Sequence, residues 1–173
     1  MSQQPLDTVT VSDPSLDTLT QELAAIQQTG SKRIALLGSR HVPIMHQQLI
    51  EMMSYALVLG GNRLLTSGAI GTNSAAIKGA MRADSNLLTV ILPQSLSRQP
   101  KESQNQLANV IHLIENSKND TLSLGEASAL CNSEIIARCD QLICFAFHDS
   151  NTLLKTCAEA EDLRKIVTLF YFD

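Results

Sequence analysis

Aromatic side chains are scarce in this sequence: four Phe, two Tyr and no Trp among 173 residues. A surface that recognises bare bases by stacking them on exposed rings therefore has little to work with. A basic excess is missing as well. Thirteen Lys and Arg stand against seventeen Asp and Glu, a formal charge of −4, which argues against a broad non-specific nucleic-acid surface while leaving room for a local basic patch. The four cysteines, Cys131, Cys139, Cys144 and Cys157, form no Cys-x-x-Cys pair. Three fall in apolar-patterned segments, so they read as buried reduced thiols and not as disulfides or zinc ligands. No apolar stretch approaches the length of a membrane span. The opening residues MSQQPLDTVTVSDPS lack the positive-then-apolar order of a secretory signal. These absences point to a soluble, cytoplasmic protein without a membrane partner.

What remains is an ordinary globular composition, 44% hydrophobic, in a chain long enough for one domain with a full core. Residues 1–14 are polar, carry two prolines and read as a flexible tail. Ser15 is placed to cap a helix through residues 16–28, with Leu16, Leu19, Leu23 and Ile26 on one face and Gly30 ending it. From residue 31 to 173 short apolar runs alternate with helical patterns. Expected strands are Arg33–Gly38, Arg63–Thr66, Leu87–Leu92, Val110–Ile114, Gln141–Phe147 and Ile166–Phe172. Expected helices are Ile44–Leu59, Gly71–Ala83, Leu122–Arg138 and Ser150–Arg164, and Gln94–Gln106 reads as a polar loop. This alternation is the signature of right-handed βαβ crossovers. The fold class is α/β: a three-layer Rossmann-like arrangement with a mainly parallel central sheet flanked by helices.

In such sheets ligands bind beyond the carboxyl ends of the strands. Three of the expected strand ends carry fitting residues. After the first come Gly38, Ser39, Arg40 and His41: a residue that permits a sharp turn, a hydroxyl, and a guanidinium whose planar fork matches phosphate. After the second come Ser67, Gly68, Gly71, Thr72 and Asn73, where glycines before a helix let an anion approach free backbone N–H groups. After the fifth come His148, Ser150 and Thr152. Singly, each set reads as turns and caps; three on one edge of one sheet indicate an anion site. No G-x-G-x-x-G follows the first strand, no acidic residue closes the second, and no P-loop is present, which disfavours NAD, FAD and ATP hydrolysis. The four histidines lack metal-ligand spacing: His41 and His148 lie near ligand-facing strand ends, whereas His46 and His112 read as structural or surface residues. No catalytic triad can be argued from residue order, and Glu115, Glu126 and Glu134 read as solvated or capping carboxylates. The residues imply no cofactor, no metal and no catalytic residue.

The motifs resemble those of the DprA/Smf family of DNA-processing proteins, within the wider Rossmann-like SLOG group. The resemblance rests on Arg33–Arg40 before a helix, on Leu64–Asn73 with Ala75, Ala76 and Gly79–Met81, on Ile135–Ala137 before a strand, and on Ser150–Thr156. It covers residues 31–173 in order. The second motif is one residue shorter than the family's, with Asn73 in place of its Asp and Ile77 in place of its later His. Two family arginines align with Asn132 and Glu134, a replacement expected to turn attraction for phosphate into repulsion. The resemblance implies a core that binds single-stranded DNA, forms a homo-oligomer and takes part in DNA processing or recombination, with Lys78, Arg82 and Arg138 as accessory cations. Two other roles fit the same residues. One is a sensor of a nucleotide-derived small molecule, with phosphoribohydrolase activity less favoured because the Pro-Gly-Gly-x-Gly-Thr motif is missing. The other is a non-catalytic, oligomeric interaction subunit, forming a stable oligomer or a complex with a protein partner.

Overall fold

The computed structural model describes residues 31–173 together with Thr18 and Leu19. The expected tail and most of the expected N-terminal helix lie outside the described residues. Ser31–Asp173 forms one compact unit.

Its centre is a sheet of six strands: β1 (Arg33–Gly38), β2 (Arg63–Thr66), β3 (Leu88–Ile91), β4 (His112–Ile114), β5 (Gln141–Ala146) and β6 (Ile166–Tyr171). They lie in the order β4-β3-β2-β1-β5-β6, and every pairing is parallel. The helices between them are α1 (Ile44–Leu59), α2 (Thr72–Ala83), α3 (Lys101–Leu107), α4 (Leu124–Arg138) and α5 (Asn151–Asp162).

β1 shows why the sheet is covered on both faces. Its residues alternate sides, so Ile34 and Leu36 join one apolar cluster and Ala35 and Leu37 the other. The first cluster is closed by Ile50 and Val58 of α1, by Ala76, Ile77 and Ala80 of α2, and by Leu107 of α3. The second is closed by Cys131, Ile135 and Ile136 of α4 and by Cys157 and Ala160 of α5. Three helices thus cover one face and two the other, the three-layer arrangement expected from the sequence. All four cysteines are buried free thiols.

The near-continuous apolar runs of β1 and β5 suit strands buried on both sides. α1 and α2 cross closely because α2 presents Gly79, where a Cβ would run into the Glu51 carbonyl. α4 starts at a complete capping box: the Ser123 hydroxyl accepts from the Glu126 N–H at 3.2 Å and the Glu126 carboxylate accepts from the Ser123 N–H at 3.4 Å.

The segment Gln94–Gln106, expected to be a loop, instead holds a 3₁₀ turn at Leu96–Arg98 and the helix α3. Pro100 stands at the N-cap position of α3, where a missing N–H costs no helical hydrogen bond. Ser103 and Leu107, four residues apart, are buried beneath it. Composition alone reads Pro and Gln as breakers; the burial of one short face overrides that.

Candidate functional site

The chain adds β2, β3 and β4 on one side of β1 and then returns to place β5 on the other. The strand order reverses between β1 and β5, and a crevice opens there beyond the carboxyl ends, as the geometry of such sheets requires. A cleft of about 380 Å³ occupies it, lined by Gly38 to His41 after β1, by Ser67, Ala69 and Asn73 around the end of β2, and by Ser150 to Leu153 after β5. Its remaining wall is α4, through Gly125, Ser128 and Asn132. A second hollow of about 190 Å³ adjoins it and shares Arg40, Ser67, Ala69 and Ser128. The residues particular to that hollow include Ile70, Arg98, Gln99, Ser103 and Leu124.

The loop after β1 is held rigidly. Ser39 N–H donates to the Phe145 carbonyl at 2.9 Å. Thr72 donates to the Ser39 carbonyl twice, through its N–H at 3.1 Å and its hydroxyl at 2.9 Å. Gly38 packs so tightly that a Cβ would lie 2.5 Å from the Thr72 hydroxyl oxygen. Gly71 has φ +81°, and a Cβ there would strike the Arg40 carbonyl. These contacts leave the Arg40 side chain exposed at the border of both hollows, and no salt bridge among the described residues engages it.

Charge in the two hollows is one-sided. They are lined by Arg40, Arg98 and His41 and by no carboxylate among the described residues. α2 and α5 begin at the main cleft without a side-chain cap, whereas α4, which reaches it at Gly125, is fully capped. The positive ends of α2 and α5 therefore remain available to an anion. The Asn73 Oδ1 atom is buried without a hydrogen-bond partner, as is the Ser103 hydroxyl in the second hollow. A buried polar atom left in this way is costly unless something satisfies it.

Of the residues expected from the sequence, Gly38, Ser39, Arg40, Ser67, Asn73, Ser150 and Thr152 line the cleft together. Gly68, Gly71 and Thr72 stand behind it. Gly68 packs against Leu92, Gly71 against the Arg40 backbone, and the Thr72 hydroxyl is spent on Ser39.

The accessory cations are elsewhere. Arg82 pairs with Glu51 at 2.9 Å and lies over the Tyr55 ring. Lys78 is exposed on α2 and lines neither hollow. Arg138, at the end of α4, borders a depression with Arg63, Thr89 and His112 around the start of β2 and the edge strand β4, away from the cleft. Glu134, expected to repel phosphate, also lines neither hollow: it pairs with Arg138 at 2.8 Å and accepts from Asn116 at 3.0 Å.

His148 is not a cleft residue either. It stacks on Tyr171 at 3.7 Å between ring centroids, and its Nδ1 lies 2.9 Å from Asp173. Glu115 and Glu126 serve backbone groups, accepting from Leu96 and Ser123.

Sequence reasoning missed two walls. On α4, Gly125, Ser128 and Asn132 recur at intervals of three and four, a small polar stripe on a helix whose other face is apolar; that spacing was the available signal. The loop carrying Arg98 gave none. It is fixed from a distance, by Asp120 accepting from Ser95 N–H and hydroxyl at 2.8 and 2.6 Å and by Gln94 donating to Asn119 and Leu122. The Ser95 hydrogen bonds hold the Asp120 carboxyl below the usual carboxylate range, and Arg98 adds to the effect. Behind Ser67, whose hydroxyl lies 3.9 Å from its sulfur, burial pushes the Cys131 thiol up to about 12, against a partial offset from Ser67.

No family model matches the chain, and no curated protein matches it in sequence. Among solved structures it is similar to DNA processing protein A from Helicobacter pylori, described as binding single-stranded DNA. That likeness has a TM-score of 0.67 and 18% identity over 80% of this chain and 65% of the other. It is also similar to DprA from Streptococcus pneumoniae, with a TM-score of 0.62 and 18% identity over 80% of this chain and 50% of the other. The matched region thus spans less than two thirds of either neighbour's length. The described chain has the DprA-like Rossmann core fold, an all-parallel sheet between two layers of helices.

Proposed function

We propose that this protein binds single-stranded DNA through its phosphates, in the cleft at the carboxyl ends of β1 and β5, in a DprA-like DNA-processing role. The observation that carries this reading is the charge of the two hollows: an acidic chain that keeps Arg40 and Arg98 there without a carboxylate among the described residues. Arg40 clamps a phosphate by its planar fork. The open helix ends at Asn73 and Ser150 and the hydroxyls of Ser39, Ser67 and Thr152 complete the shell around it. The fold shared with a single-stranded-DNA-binding protein supports the choice of polymer. The pairing of Glu134 with Arg138, and its position outside both hollows, supports phosphate at this edge. Membership of the SLOG group, a cytoplasmic location and assembly into a homo-oligomer belong to the same reading.

The test is fluorescence anisotropy of a labelled single-stranded oligonucleotide, titrated at low and moderate salt, with Arg40→Ala as comparison. Binding that weakens steeply with salt and falls at least about tenfold in the variant supports the proposal. An oligonucleotide that does not bind at low salt overturns it. The buried, unpartnered Asn73 and Ser103 favour a second reading, a nucleotide-derived small molecule as ligand; a nucleotide-specific rise in melting temperature without oligonucleotide binding would select it.

A further inference from the structure

The hollow beside the main cleft is built on a different plan from the cleft itself. Its apolar walls include Ile70 of the loop after β2 and Leu124 of the first turn of α4, 38 and 47% exposed, together with Pro93 and Pro100. Its polar groups are sunk: Ser103 is 2% and Gln99 8% exposed. The Ser103 hydroxyl has no hydrogen-bond partner. Gln99 spends its backbone on Leu96 and Gln104 and leaves its side-chain amide without a partner among the described residues. A helix that only packed would carry an apolar residue at position 103, since an unpartnered buried hydroxyl costs stability. At about 190 Å³ the hollow is smaller than the roughly 300–1,000 Å³ of sites for drug-sized ligands, so it admits a single ring system.

We propose that this hollow takes up one unstacked nucleobase, whose own phosphate or a neighbouring one lies against Arg40 in the main cleft. The proposal rests on the phosphate-binding reading of that cleft, with which the hollow shares Arg40 and Ser67. A base is apolar on its two faces and polar along its edge, and the hollow answers both. Ile70 and Leu124 lose exposure against the faces. Along the edge, the Ser103 hydroxyl donates or accepts and the Gln99 amide does both, so groups that the folded chain leaves unpaired find partners. An aliphatic ligand would leave them unused. Arg98 adds a second cation to the lining, and no carboxylate lines the hollow among the described residues, so the phosphates attached to the base meet no repulsion there. The grip comes from aliphatic walls, which suits a chain with six Phe and Tyr and no Trp.

Calorimetric titration of the full 173-residue protein at low salt tests this, with two single-stranded hexamers of equal phosphate count: one of mixed sequence carrying all four bases, the other abasic throughout. The base-bearing hexamer is expected to bind at least about fivefold more tightly. In Ile70→Ala/Leu124→Ala that margin is expected to shrink below about twofold while the abasic hexamer binds as before. Ser103→Ala, relieved of an unpartnered hydroxyl, is expected to be at least as stable as the wild type in urea and yet to bind the base-bearing hexamer more weakly. Equal affinity of the wild type for the two hexamers overturns the proposal and leaves binding through phosphate intact. So does a margin that survives in both variants, which would put the base elsewhere. If neither hexamer binds, the DNA reading fails instead, and each of the four common nucleoside 5′-monophosphates is compared with ribose 5-phosphate by melting temperature. A larger rise with a nucleotide, lost in the Ile70/Leu124 variant, supports the base site; equal rises, or none, overturn it.

Discussion

Thr72 donates two hydrogen bonds to one acceptor, the Ser39 carbonyl, through its N–H at 3.1 Å and its hydroxyl at 2.9 Å. The start of α2 is thereby fastened to the loop that carries Arg40, and the two motif segments form a single piece. Thr72→Val keeps the shape and removes the second bond. It should lower stability by about 1 kcal/mol in chemical denaturation and weaken oligonucleotide binding through a looser Arg40. Thr72→Ser, which retains the hydroxyl, should largely restore both.

Gly71→Ala should be more damaging than its size suggests. The backbone has φ +81°, unfavourable for any side chain, and the added methyl would press on the carbonyls of Arg40 and Ser39. A loss of about 1–3 kcal/mol is expected from strain of this kind, read as a lower midpoint in urea, together with weaker ligand binding.

Glu134 and Arg40 separate the proposed site from its surroundings. Glu134 bonds to Arg138 and Asn116 and lines neither hollow. Glu134→Gln should therefore change oligonucleotide affinity less than about twofold at moderate salt, since the charge of Glu134 is already offset by Arg138. Arg40→Ala should abolish most of it. Anisotropy titrations of the two variants side by side check the contrast.

The thiols predict a loss of stability in alkali. Burial raises the Cys131 pKa to about 12, above the unfolded thiol's value of about 8.5. A raised thiol pKa means that the folded state holds its proton when the unfolded state has released it. Stability is therefore intact below about 8.5 and declines as pH rises from there towards about 12. Cys144 and Cys157 share a hydrogen bond that raises the first and lowers the second, so the expected loss rests on Cys131. Native protein at pH 8 should leave Cys131, Cys139, Cys144 and Cys157 unreactive to a thiol reagent, and all four should react in urea.

Asp140 should act at the opposite end of the pH scale. Its carboxylate accepts from the Arg33 guanidinium at 2.8 Å and from the Arg33 N–H at 2.9 Å, joining the starts of β1 and β5. The Arg33 hydrogen bond holds its pKa below the usual carboxylate value. The bridge therefore contributes above the ordinary carboxylate pKa of about 3.9 and is lost as pH falls through the lower folded value. Both side chains are about half exposed, so Asp140→Asn should cost at most about 1 kcal/mol at pH 7. That difference should vanish in thermal melts under strong acid.

The strands and one side of the cleft were legible because local signals mark them. Arg33–Gly38 is an apolar run closed by a glycine, and Ser39, Arg40 and Ser150 follow strand ends where a turn must occur. The far side was not legible. Ser128 and Asn132 belong to the middle of a helix, and Arg98 is placed by Asp120 and Glu115 from beyond β4. Partners about twenty residues away leave no trace in local composition. Alignment by motif also misjudged Glu134: it follows Asn132 by two residues, and two residues along a helix turn a side chain by about 200°, away from the face that Asn132 presents to the cleft.

The strand order has a consequence for how the site comes into being. β1 finds one neighbour, β2, within thirty residues, but its other neighbour, β5, pairs Gln141 with Ile34, more than a hundred residues away. The half-sheet from β1 to β4 can thus be assembled from contacts near in sequence, which form early because little loop entropy opposes them. The cleft cannot. Its walls at Ser128, Asn132 and Ser150 to Leu153 arrive only with the last and most distant pairing. Ligand affinity at the proposed site is therefore expected only of the completed sheet, and recovery of binding during refolding should trail the recovery of helical signal.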